Sequence, residues 1–215
     1  GEQLCELAYL ISHPSLFEKY DGMRKIKVKF ENGKTNSAKV EFNKTLDSNK
    51  ILTDCIITLT LNFDYQLEHD EEFRTLQSDE PDLARQSILL HELQHVLQAL
   101  HNRPCGIKKD EGSRKADARF NALGVKATAK KLTVEETQEL QYLTTLSKEE
   151  RGDFFYYKDK GEIEARKVVR KWLALQNIRY IDPLTEYYGI DPDQMGDGGD
   201  VISASSRFKP YETIV

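Results

Sequence analysis

Disulfide chemistry is the first thing this sequence lacks. Its 215 residues hold three cysteines, Cys5, Cys55 and Cys105, odd in number, widely spaced and without a CxxC pair. That pattern excludes a disulfide framework and a cysteine-built zinc knuckle, and it predicts reduced thiols in a cytoplasmic setting. Cys105, in the loop Asn102-Arg103-Pro104-Cys105-Gly106, is read as a thiol without a catalytic role. Long apolar runs are missing too. None approaches the roughly 20 residues that span a bilayer, and the opening Gly-Glu-Gln-Leu-Cys-Glu has neither the basic nor the apolar region of a secretion signal. The absence of an initial Met is what a piece of a longer polypeptide would show. The 31 basic residues form no block against 36 acidic ones, and the net charge is −5, so nucleic acid is not an expected partner.

A more local absence is more informative. Between Arg85 and Arg103 one side chain alone is charged, Glu92, in a chain where 31% of residues are. The stretch contains Leu89-Leu90-His91-Glu92-Leu93-Gln94-His95-Val96-Leu97-Gln98, an HExxH motif. On a helical wheel Leu89, Leu90, Leu93, Val96, Leu97 and Leu100 share one sector, and His91, Glu92, Gln94, His95 and Gln98 lie opposite. A water-facing stripe would carry Lys, Arg and Glu. This one suits the floor of an enclosed cleft. His91 and His95 lie one turn apart on one face, so both imidazoles reach a single zinc ion, and Glu92 is the general base for hydrolysis.

A catalytic zinc takes three protein ligands. His101 has metzincin spacing, but Gln98-Ala99-Leu100 favour a continuing helix, which carries His101 about 9 Å further along the axis from His95. A carboxylate from a later helix is the better partner. In the segment 161–176, Val168, Trp172, Ala165, Val169 and Leu173 mark the buried side, and Glu162 falls among them. Glu164, the alternative, falls near Lys167 and Lys171. A carboxylate on an apolar face is costly unless paired or metal-bound, which selects Glu162, with Arg166 one turn on as its partner or orienter. A buried Glu162–Arg166 ion pair without metal is the structural rival.

The rest of the chain supplies a frame. Residues 3–20 read as two short helices broken at His13-Pro14. Alternation over 25–30, 38–42 and 57–61, with the turn signal Asn32-Gly33, predicts a small, mostly antiparallel sheet. Residues 63–82 read as an acidic loop. Helices follow over about 114–130, over about 133–147 from the capping box Thr133-x-x-Glu136, around Phe154-Phe155-Tyr156-Tyr157, and from Gly161 to about Gln176. The Asp191–Asp200 segment looks superficially like a calcium loop, but Met195 and Ile202 occupy ligand positions. The expected fold is α+β: an N-terminal sheet packed on the HExxH helix, then a helical part. One domain spans 1–176, with helices and sheet over 1–65 and the helical active-site part over 81–176, and 177–215 is a C-terminal extension, a candidate to cover the cleft or to serve as its own substrate.

Four elements together resemble a known family: His13-Pro14-x-Leu16-Phe17-x-x-Tyr20, Lys25-Ile26-Lys27-Val28, the segment Leu89–Gln98, and Tyr157-x-x-x-Gly161-Glu162-Ile163-Glu164-Ala165-Arg166. Over roughly residues 4 to 170 the chain is similar to the large polyvalent protein-associated domain numbered twenty-three in its series. Such domains are metallopeptidase-like parts of long polyproteins of phages and conjugative elements. The resemblance implies a zincin-like, gluzincin-type fold, carries His91, Glu92 and His95 over directly, and agrees with Glu162. It also raises delivery into a host cell as an effector. After the helix, Asn102–Gly106 replaces the family's acidic, glycine-rich stretch, so substrate preference does not carry over.

The expectation is therefore a zinc endopeptidase with Zn2+ on His91, His95 and Glu162, Glu92 as general base, and Tyr156 or Tyr157, of which Tyr157 is chosen, as a donor to the developing oxyanion. The partner is a protein or peptide substrate, bound by strand addition if Ile57–Leu61 is an exposed sheet edge. Rival readings are a zincin-like scaffold that binds without cleaving, and a zinc amidase or toxin-like hydrolase acting on a non-protein bond.

Overall fold

A computed structural model describes residues 3–11, 14–32, 37–41, 54–61, 81–175 and 177–195. The turn at Gly33, the acidic stretch 63–80 and the calcium-loop look-alike beyond Met195 lie outside them. The fold is α+β, with a small mixed four-stranded sheet and a mostly helical remainder.

The strands are β1 (Gln3–Glu6), β2 (Lys27–Asn32), β3 (Ser37–Glu41) and β4 (Ile56–Leu61), in the order β1-β2-β4-β3. β1 and β3 pair antiparallel with β2 and β4, while β2 and β4 run parallel. Alternation in β2 buries Val28 and leaves Lys27 exposed. Two sequence expectations are corrected. Residues 3–6 form a strand, not part of a helix, and among the described residues before β2 only Pro14–Lys19 (α1) is α-helical. And β2 and β3 do not form the hairpin that Asn32-Gly33 signals, because β4 inserts between them. β4 is thereby an interior strand, and Ile57, Thr58 and Leu59 are at most 2% exposed.

The helices are α2 (Pro81–Leu100), α3 (Lys109–Thr128), α4 (Val134–Thr145), α5 (Lys148–Tyr157), α6 (Lys160–Leu175) and α7 (Pro183–Tyr188). Thr133 caps α4 in a capping box with Glu136, as expected, and a second box, Ser147 with Glu150, starts α5. No described helix is long and apolar enough to cross a membrane.

The chain divides into two compact units, and the division runs through α6, between Ile163 and Glu164. One unit holds the described residues up to Cys105 and Glu164–Asp182. Its core joins Leu7, Phe17, Met23, Ile26, Val28, Ile57 and Leu59 to Leu89, Leu90, Leu93, Val96 and Leu97 of α2 and Val168, Val169 and Leu173 of α6. β3 packs against α2.

The other unit holds Gly106–Ile163 and residues 183–195, with a core that includes Ala116, Leu123, Leu143, Phe154, Phe155 and Tyr157. Here α3 and α5 touch through glycines: a Cβ on Gly112 would lie 2.8 Å from the Gly152 carbonyl oxygen, which is backbone and cannot rotate away. Gly112→Ala should therefore force the helices apart and lower stability by about 1–3 kcal/mol, the usual penalty for overpacking, measurable by urea denaturation of the whole chain. A melt unchanged by the substitution would show that this contact adapts freely.

Candidate metal centre

The HExxH motif lies within α2. Every residue from Ser87 to Ala99 is buried, including His91 at 6%, Glu92 at 8%, His95 at 7% and Gln98 at 1% exposure. The polar stripe is therefore no solvated face. Burying the five polar side chains of this stripe stabilises nothing by itself, since each loses its water, so the arrangement calls for partners or a ligand.

Those partners begin with the histidines themselves. His91 Nε2 and His95 Nε2 are 3.1 Å apart, and the rings meet edge to face. The distance suits an N–H···N hydrogen bond. It suits two lone pairs addressing one cation equally well, because zinc–nitrogen bonds of about 2.0–2.1 Å in a tetrahedron set an N···N edge of roughly 3.3 Å. Glu162, 3% exposed, lies on the first turn of α6. One ligand atom from each of His91, His95 and Glu162 lies within 4.8 Å of the others, and this is the metal-compatible group found among the described residues. α6 is unbroken from Lys160 to Leu175, and its Val168, Val169 and Leu173 lie in the core of the first unit. Two imidazoles and a carboxylate are a borderline donor set that matches Zn2+ better than Ca2+ or Mg2+, which prefer all-oxygen cages.

The remaining candidates are resolved by position. His101 is exposed and hydrogen-bonds Tyr20, Oη to Nε2 at 2.8 Å, outside the group. The metzincin geometry is thus absent, and the reason is local: α2 runs helically to Leu100 and ends in a Schellman turn, with Asn102 at φ 52°, Asn102 N–H donating to Ala99 O and Arg103 N–H to Gln98 O. Asn tolerates this left-handed backbone better than most residues. Cys105 Sγ approaches the Arg103 carbonyl at 3.6 Å and is also outside the group. Burial, and then the nearby negative charge of Glu92, push the Cys55 thiol up to about 12. It remains a neutral thiol.

Glu164 corrects the sequence reading. Instead of a surface residue among lysines, it is a largely buried carboxylate, 13% exposed, that accepts from Gln98 Nε2 at 3.2 Å and Arg103 Nη1 at 3.3 Å. Gln98 Oε1 in turn lies 2.8 Å from His95 Nδ1. Wheel periodicity sees α6 alone and has no signal for a partner on α2.

Arg166 is also more than a neighbour of Glu162. Its Nε donates to Asp182 Oδ2 at 2.9 Å, with the two side chains 1% and 4% exposed. Asp182→Ala would leave a guanidinium buried without this carboxylate and should destabilise the fold by about 3–5 kcal/mol. Replacing both residues with apolar ones of similar volume should recover most of it in the same thermal melts. Tyr157, 3% exposed, is buried against the rings of Tyr156, Tyr187 and Tyr188.

No family model, curated protein or solved structure matches this chain. The site stands on its own geometry. The family resemblance accordingly rests on the quoted motifs alone.

Proposed function

We propose that this chain is a zinc-dependent endopeptidase of gluzincin type. The observation that carries the reading is the convergence of the His91, His95 and Glu162 ligand atoms within 4.8 Å, with Glu92 on the same buried helix. The three residues hold the ion. Zinc in that position supplies a Lewis acid that polarises the scissile carbonyl and makes water at the site more acidic.

The chain's own groups do the rest. Glu92 takes a proton from the attacking water as its oxygen bonds to the carbonyl carbon, then returns it to the leaving amine as the C–N bond breaks. The products are a carboxylate and an amine. Tyr157 contributes a hydroxyl toward the developing oxyanion in this reading, and Tyr157→Phe tests it separately from ring packing. The expected strand addition moves to a different strand. β4 is paired on both sides, so Ile57–Leu61 is no free edge, whereas β3 pairs with β4 alone among the described residues and packs against α2. An extended peptide added along β3 is bound through main-chain hydrogen bonds, which accept many sequences.

Metal analysis of the purified full chain, followed by a casein cleavage screen with and without chelator, tests the proposal. One zinc per chain and cleavage that disappears with chelator and returns with zinc are expected. Zinc without cleavage of any protein would favour a scaffold, cleavage restricted to non-protein amides would favour an amidase, and no bound metal would overturn all metal-based readings.

A further inference from the structure

Gln98 contacts His95, Glu164 contacts Gln98 and Arg103, and none of the three takes part in the reaction just described. Their geometry has a directional logic. An ionised carboxylate only accepts hydrogen bonds, so Glu164 receives the guanidinium of Arg103 at 3.3 Å and must receive the amide NH2 of Gln98 at 3.2 Å. That fixes the otherwise ambiguous orientation of the Gln98 amide, with Nε2 toward Glu164 and Oε1 toward His95. A carbonyl oxygen 2.8 Å from His95 Nδ1 requires the proton on Nδ1. The neutral ring then carries its lone pair on Nε2, the atom that faces His91 Nε2 at 3.1 Å.

We propose that Gln98, oriented by Glu164 and Arg103, is a positioning residue that holds His95 in the one tautomer able to bind a metal through Nε2. The consequence for affinity rests on the zinc reading, but the tautomer itself does not. Every residue in the relay is anchored. Gln98 is 1% exposed, one turn beyond His95 on α2, and Glu164 is on α6. Arg103 is returned toward α6 by the Schellman turn at Asn102. A neutral amide between carboxylate and imidazole also leaves the carboxylate's charge one group away from the ring. What the relay itself presents to the ring is a neutral acceptor, the Gln98 Oε1 at 2.8 Å from Nδ1.

Two readouts test this on the full chain: side-chain nitrogen NMR of the metal-free protein at mildly alkaline pH, and zinc affinity by competition with a chromophoric chelator. In the wild type, His95 should show a proton on Nδ1 and none on Nε2. Gln98→Met keeps the volume but removes the acceptor, so the ring should shift toward the other tautomer and zinc should bind about 10–100-fold more weakly, the usual loss for an outer-sphere partner. Glu164→Ala should weaken binding in the wild type and add little in the Gln98→Met background, because it acts through Gln98. The exchange Gln98→Glu with Glu164→Gln restores an acceptor toward His95 and a donor between the helices, and should recover tautomer and affinity.

An unchanged His95 tautomer in Gln98→Met, or fully additive losses with Glu164→Ala, would overturn the proposal. If Gln98→Met fails to fold, the exchange decides, since a folded exchange variant with a scrambled tautomer is equally fatal. A wild type that binds no zinc would sink the peptidase reading while leaving the NMR result to judge this one.

Discussion

Glu92→Gln should retain one zinc per chain and lose about 10²–10⁴-fold in the rate of casein hydrolysis, the span a positioned general base contributes. Glutamine has nearly the volume and shape of glutamate, which matters at a side chain only 8% exposed, wedged into a helix buried from Ser87 to Ala99. The substitution leaves no cavity and leaves His91, His95 and Glu162 in place. It removes the ability to accept a proton. Zinc stoichiometry by elemental analysis and cleavage rates on the same sample separate the two properties. Near-wild-type hydrolysis would exclude Glu92 as base, whereas loss of the metal together with activity would show that Glu92 serves the integrity of the site instead.

Much of this centre is legible in the sequence because its signals are local. The HExxH spacing puts two imidazoles on one helix face, and the missing Lys, Arg and Asp between Arg85 and Arg103 announce burial, which the exposures of His91 and His95 bear out. Glu162 follows from a single wheel, because its burial depends on the same face of α6 that carries Val169 and Leu173. What could not be read was everything that depends on which elements meet. The Asn32-Gly33 signal is a genuine hairpin preference, but strand order is set by which apolar faces fit together, and β4 displaces the hairpin. Glu164 fails on the same ground: among its own helix neighbours it is flanked by lysines, and only α2 supplies Gln98 and Arg103. Asp182 is likewise invisible, lying in an irregular segment with no period to mark it as the partner of Arg166.

Glu162→Ala should abolish stoichiometric zinc binding, whereas Glu164→Ala should bind one zinc with reduced affinity. The difference follows from where each carboxylate is placed. Glu162 lies within 4.8 Å of both histidine ligand atoms, so its removal leaves two imidazoles, a donor set too small for a catalytic zinc. Glu164 is separated from His95 by Gln98, so its loss falls in the range of about 10–100-fold expected outside the coordination sphere. The stability of the metal-free protein distinguishes this from the structural rival. If Glu162 were chiefly half of a buried ion pair, its deletion would destabilise the apo-protein by about 3–5 kcal/mol. For a ligand the difference appears with the metal. Added zinc should raise the stability of the wild type alone, by about 2.7 kcal/mol at a free concentration one hundred times Kd, and leave the melt of Glu162→Ala where it stands without zinc. A zinc-loaded Glu162→Ala beside a metal-free Glu164→Ala would reverse the assignment of the two carboxylates.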